Sequence, residues 1–197
     1  MYKLLFVLFF TLSFFGQESE IKIAETFQNH LNKEYADSLT SPLMAEDLVH
    51  FKGLDFYPIT SDYVVSAKFV ITKKEKPFKM KTSTARTPMY KKYGTLYFEL
   101  EGKQLQLNVY QNIELSKKPG FKDYLFLPFS DLTNGKESYI GGRYIDFRIP
   151  KSDTVILNFN LAYNPYCAYN YKYSCPIVPL ENDLDVAIKS GVKKFHD

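Results

Sequence analysis

The chain has 197 residues, 45% hydrophobic and 24% charged, with 25 Lys and Arg against 22 Asp and Glu for a formal net charge of +3. Those proportions exclude a disordered chain and a repeat fibre, and a balance this near neutrality excludes the dominant basic face that nucleic-acid binding demands. Two Cys and three separated His (His30, His50, His196) form no metal-ligand pattern, and no cofactor is evident.

Met1-Tyr2-Lys3 precedes the apolar run Leu4 to Phe15, broken only by Thr11 and Ser13, and the polar segment Gly16-Gln17-Glu18-Ser19-Glu20 follows it. One positive charge, a short apolar stretch and a small residue predict an export signal over residues 1–16, since a membrane span needs about 20 apolar residues. The protein is therefore expected in the periplasm or outside the cell, with no transmembrane anchor and no nucleic-acid partner. Residues 17–197 then form one domain, divided into a helical lead-in at 17–62, a β core at 63–180 and a C-terminal helix at 181–197.

Ala24, Phe27, Leu31, Tyr35 and Leu39 recur every three or four residues and predict an amphipathic helix from Ile21 to Leu39. Thr40-Ser41-Pro42 offers a cap and a first-turn proline for a shorter helix from Leu43 to Val49. The period then changes to two. Tyr63, Val65, Ala67, Phe69 and Ile71 alternate with Val64, Ser66, Lys68, Val70 and Thr72, and Phe78 and Met80 alternate with Lys79 and Lys81. Leu96–Leu100 and Leu105–Val109 flank Glu101-Gly102-Lys103 as a hairpin, and further strands are expected at 124–129, 143–149 and 155–161. Near the end, Leu184, Ile188 and Val192 lie at helical spacing between Asn182 and Gly191, the basis for the C-terminal helix. Strands without interleaved helices point to a mainly β (α+β) fold, an antiparallel β-sandwich or partly closed barrel with N-terminal and C-terminal helices packed on it.

The chain spends only three Arg (Arg86, Arg143, Arg148) among its basic residues, so each merits attention. Arg143 shares a strand face with Ile145, Phe147 and Ile149, and an inward guanidinium needs a carboxylate, backbone carbonyls or a bound anion. Residues 73–92 carry eight basic residues and one acid, with Thr82-Ser83-Thr84 just before Arg86. That arrangement suits either a solvated strand face or an anion held by charge-assisted hydrogen bonds. Asp131-Leu132-Thr133-Asn134-Gly135 and Gly141-Gly142 read as turns, with no dinucleotide or P-loop glycine spacing. Asn158 and Asn160 share the strand face opposite Val155, and four Tyr crowd residues 163–171. Cys167 and Cys175 enclose a short loop. They suit either a disulfide, stabilising by roughly 2.5 kcal/mol on the loop-entropy model, or a free nucleophilic thiol beside a base.

Phe51-Lys52-Gly53-Leu54-Asp55-Phe56-Tyr57-Pro58, Phe78 to Thr84 with Arg86, Gly141 to Asp146, Tyr163 to Tyr169, Tyr173 to Ile177 and Glu181-Asn182 form a series. It resembles the bacterial domain-of-unknown-function family 1684 over most of the mature chain. The resemblance implies no activity. It implies a common site drawn from Arg86, Asp131, Gly142, Arg143, Asp146, Asn160, Asn164, Cys167, Cys175, Glu181 and Asn182.

The leading functional reading is an exported, noncatalytic β-rich domain that binds a small anionic or polar ligand near Arg86, Arg143 and the Asn160–Cys167 segment. An enzyme, a hydrolase or transferase using Cys167 or an Asp131/Asp146 carboxylate, is the alternative. The third is an envelope interaction or structural protein, which requires an exposed aromatic patch.

Overall fold

The computed structural model describes residues 3–196, with side chains from Gln17 onward. The expected export signal over residues 1–16 therefore lies outside the described side chains. In chain order the elements are α1 (Lys3–Ala36), α2 (Ala45–His50), β1 (Val64–Ile71), β2 (Phe78–Lys79), β3 (Met89–Leu100), β4 (Lys103–Asn112), β5 (Tyr124–Asp131), β6 (Arg143–Arg148), β7 (Thr154–Asn158) and β8 (Asp183–Leu184). Among the described residues no helix is long and apolar enough to cross a membrane.

The strands form one eight-stranded sheet in the order β6-β5-β4-β3-β1-β7, with β2 added to β3 and β8 to β5. All pairings are antiparallel except the short β5–β8 contact. The β3–β4 hairpin closes where Leu100 pairs with Lys103, and both intervening residues take positive φ, Glu101 at 53° and Gly102 at 72°. That geometry matches the right-handed twist of the flanking strands, and a glycine second position accommodates it.

The sheet curls into a half-barrel. Phe69 of β1 and Phe147 of β6 have three strands between them along the path, yet their ring centroids are 6.5 Å apart. Side chains from β1, β3, β4, β5, β6 and β7 accordingly share one core, which includes Phe69, Leu96, Leu107, Leu127, Ile145 and Leu157. A single curled sheet replaces the sandwich alternative, because the alternating apolar faces converge on one another instead of on a second sheet. β5 is buried on both faces, since a second cluster of Met80, Tyr90, Tyr110, Phe126 and Tyr144 forms on the outside.

On α1, Ala24, Leu31 and Tyr35 are buried as the helical stripe requires, but Leu39 lies beyond the helix end and is 91% exposed. Leu31 and Tyr35 cluster with Leu43, Leu54, Tyr169 and Val192. Among the described residues α1 is held at Glu20, whose backbone oxygen accepts from Asn158 Nδ2 at 3.0 Å, and at Gln28, whose Nε2 donates to the Asn160 carbonyl at 3.2 Å. Ser41 does not cap α2. Its hydroxyl donates to the Tyr35 carbonyl at 2.7 Å and so closes α1, while α2 begins later, behind Met44, with no side-chain cap.

The expected C-terminal helix at 181–197 is not formed. Asn182, Leu184, Val186, Ile188, Ser190 and Val192 are buried while Asp183, Asp185 and Lys189 are exposed, a period of two and not of 3.6. Leu184, Val186 and Ile188 thus enter the main core from an extended tail. The tail bonds to its surroundings: Leu132 N donates to the Val186 carbonyl, Tyr57 N to that of Gly191, and Val192 N to that of Ala162, each at 2.9 Å. The seventh expected strand is also shorter. Asn158 Oδ1 accepts from Asn160 N at 3.0 Å, which turns residues 159–161 into a 3-10 helix.

Candidate functional site

Successive residues of a strand face opposite ways, so β6 sends Arg143, Ile145 and Phe147 to the core and Tyr144, Asp146 and Arg148 outward. On the inner side the Arg143 side chain is fully buried and pairs with Asp131, Nη2 to Oδ2, at 2.7 Å. The same nitrogen donates to the Ile188 carbonyl at 2.8 Å, and Nη1 donates to those of Ser190 and Val192. Its guanidinium lies 5.2 Å from the Phe129 ring and 5.9 Å from the Tyr57 ring. Asp131 Oδ1 accepts in turn from Thr133 N at 2.8 Å and Ile188 N at 3.2 Å. Gly142 precedes this arginine at φ 86°, and a Cβ there would stand 2.7 Å from the Phe129 carbonyl oxygen, so glycine lets β6 start against β5.

The buried asparagines also bond to the chain itself. Asn160 Oδ1 accepts from Thr60 N and Ser190 Oγ, and its Nδ2 donates to the Thr60 carbonyl at 2.9 Å. Asn164 Nδ2 donates to the Lys193 carbonyl at 2.8 Å. Asn182 exchanges bonds with the backbone of Asn108 and donates to the Pro128 carbonyl at 2.6 Å. Glu181 accepts from Tyr110 Oη at 3.0 Å. Arg86 stands on the surface, where Nε and Nη2 donate to Ser174 Oγ at 3.1 Å and its carbonyl at 2.7 Å. Arg86 and Arg143 are therefore not brought together, and neither are Asp131 and Asp146.

The outer face is different. Between α1 and the outward side of β5 and β6 lies a cavity of about 500 Å³. Ten of its 19 lining residues are Phe or Tyr, and none is Lys or Arg. Asp146 Oδ1 accepts from Tyr124 Oη at 2.7 Å and Tyr163 Oη at 2.6 Å. A second carboxylate, Glu34 of α1, accepts from Tyr166 Oη at 3.0 Å. Tyr144 stands edge-on to Phe126, with ring centroids 4.6 Å apart, and donates to the Pro176 carbonyl. Burial, reinforced by the Asp146 charge, raises the Tyr124 and Tyr163 hydroxyls above the ordinary tyrosine range, so both remain protonated donors. Burial and the bond to Glu34 push Tyr166 up to about 12.

Cys167 and Cys175 are free thiols, not a disulfide. The Cys167 amide donates to Cys175 Sγ at 3.1 Å, and Tyr139 Oη lies 3.8 Å from Cys167 Sγ. Cys175 lines the cavity. Among the expected site residues the cavity therefore gathers Asp146 and Cys175. Sequence reasoning singled out Tyr163 and Tyr166, within the Asn160–Cys167 segment, but passed over Glu34 and Tyr124 of the lining. The available signal was the tyrosine crowding at 163–171, together with the outward register of Asp146 against Arg143. Among the described residues no group of three or more His, Cys, Asp or Glu could hold a metal ion.

No curated protein matches the chain. A solved structure does, the solution NMR structure of an uncharacterized protein from Haloarcula marismortui. It is 31% identical, covers 89% of this chain and 95% of its own, and superposes with a TM-score of 0.69. The family model described as "protein of unknown function (DUF1684)" matches residues 49–193, which include β1 to β8 and the thiol pair. The resemblance carried by the sequence motifs is thus shown, and the chain belongs to the DUF1684 family.

Proposed function

We propose that the protein is an exported, noncatalytic binding domain whose aromatic cavity takes a small polar molecule with a flat or apolar body and a cationic head. The carrying observation is Asp146, a carboxylate fixed at the cavity wall by two tyrosine hydroxyls. Neutral donors hold it in place without neutralising its charge, and aromatic faces beside it attract cations. Specificity in pockets of this size comes from a few placed polar groups within an apolar lining. The anionic half of the expected ligand class is set aside, because the lining contains Asp146 and Glu34 and neither Lys nor Arg, with His30 as its one imidazole. Export is supported by the apolar run before Gly16. A cut there would leave the contacts that α1 makes through Glu20 and Gln28 in place.

The chain has 16 Tyr and no Trp, and seven of those tyrosines line the cavity, so ligand there should alter a large part of the tyrosine fluorescence. Benzyltrimethylammonium should quench it saturably, and benzoate should bind at least tenfold more weakly. Equal binding of the two, or none of the cation, would refute the reading. Recovery of the protein from outside the cytoplasm of the expressing cell, with residues 1–16 missing by mass, tests export. An intact amino terminus in the cytoplasmic fraction contradicts it.

A further inference from the structure

The thiol pair lies at one edge of the cavity and has no part in the ligand reading above. Cys167 is half-buried at the start of the excursion that returns to the sheet at Pro176, whereas Cys175 is 8% exposed. Their sulfurs are neighbours, since the Cys167 amide already reaches Cys175 Sγ at 3.1 Å. The Cys175 end is held rigidly: its N donates to Ser83 Oγ at 3.1 Å, and its carbonyl accepts from Ser83 N at 2.8 Å. Tyr139 Oη reaches the outer sulfur, that of Cys167, at 3.8 Å. One accessible sulfur with hydrogen-bond donors around it, backed by a second sulfur that is enclosed, is the asymmetry that thiol–disulfide exchange uses.

We propose that Cys167 and Cys175 form a thiol–disulfide exchange site, with Cys167 the attacking and Cys175 the resolving residue, and a low-molecular-weight disulfide as co-reactant. The Cys167 thiolate attacks one sulfur of the external disulfide; that S–S bond breaks, a thiolate leaves, and a mixed disulfide forms at Cys167. Cys175 gives up its proton to solvent and its sulfur attacks Cys167 Sγ. The second external thiolate then leaves, and both leaving groups take up protons. The cysteine pair loses two electrons, and the external disulfide gains them as two thiols. The bond to Cys175 draws Cys167 down to about 6, with Tyr139 and Ser83 adding to it, so the attacking sulfur is ionised near neutral pH. Oxidation closes a loop that carries Tyr173, Ser174 and Cys175 of the cavity wall, and so ties the redox state to the shape of that wall.

The test is intact mass after incubation of the full-length folded protein at neutral pH with oxidised glutathione. Wild type should lose two hydrogens and carry no adduct. Cys175→Ser should hold one glutathionyl group at Cys167, and Cys167→Ser should react at least tenfold more slowly. Iodoacetamide alkylation of wild type provides a readout that needs no variant, and its rate at Cys167 should rise with a midpoint near 6. Two thiols left free in excess oxidised glutathione would overturn the proposal. Equal adduct rates in the two variants would overturn the assignment of roles.

Discussion

Arg143 and Asp146 stand on the same strand, yet the protein treats their charges in opposite ways. Arg143 faces inward with its side chain fully buried, and a carboxylate and three carbonyl oxygens receive its terminal N–H groups. Asp146 faces outward, and its two tyrosine partners are neutral hydroxyls bound to a single oxygen. The first charge is spent inside the fold, where it fixes the extended tail against β5 and β6. The second keeps its charge and a free edge toward a cavity. The difference teaches that a rare buried residue marks structure when its partners are internal, and that a site is better sought where a charge is positioned but not neutralised.

The largest break in this contrast should come from the inner face. Arg143→Met leaves Asp131 buried without its cation and should cost about 3–5 kcal/mol in urea unfolding, whereas Arg143→Met with Asp131→Leu should recover most of that loss. Benzyltrimethylammonium should still bind the double variant as it binds wild type, since neither residue lines the cavity. An inner pair that controlled binding would erase the distinction drawn between the two faces.

Alkaline pH should act next most strongly, and through the outer face. Burial raises Tyr124, Tyr144 and Tyr163 above the unfolded value of about 10. A group raised in the folded state contributes stability that is complete below its unfolded pKa and is lost as pH rises beyond it. Urea midpoints should therefore fall steeply above about pH 10, and Tyr163→Phe should flatten that fall. A midpoint independent of pH over that range would mean these hydroxyls ionise as freely in the folded protein as in the unfolded one.

Asp146→Asn should change stability least, by less than about 1 kcal/mol, because the side chain is exposed and the amide oxygen still accepts from both tyrosines. The same change should weaken the cationic probe at least tenfold by isothermal titration. Arg143 and Asp146 would then separate cleanly into a stability residue and a binding residue.

Much of the fold was legible because alternation is a strong signal on a half-buried sheet: β1, β4 and β6 form where the period of two appears. The C-terminal tail was misread for a definable reason. Leu184, Ile188 and Val192 are spaced by four, which satisfies a helix and a strand alike, and Val186 between them decides the matter in favour of a strand. The inward aim of Arg143 and its need for a partner were also legible from Ile145 and Phe147. Which partner it takes was not, since Asp131 and the Ile188, Ser190 and Val192 carbonyls arrive from separate segments. The cavity was hidden for the same reason. Glu34 on α1, Tyr124 on β5, Asp146 on β6 and Tyr163 after β7 meet only once the sheet curls and the helix lies across it.

The most direct measurement is a two-dimensional NMR titration of the labelled protein with benzyltrimethylammonium, with benzoate in parallel. The expected result is saturable shifts at Asp146, Tyr124 and Tyr163 with the cation, none with benzoate, and silence at Arg143 and Asp131. Shifts centred on Arg143 or Arg86, or produced by benzoate instead, would place the site on the basic residues and contradict the assignment of the aromatic cavity.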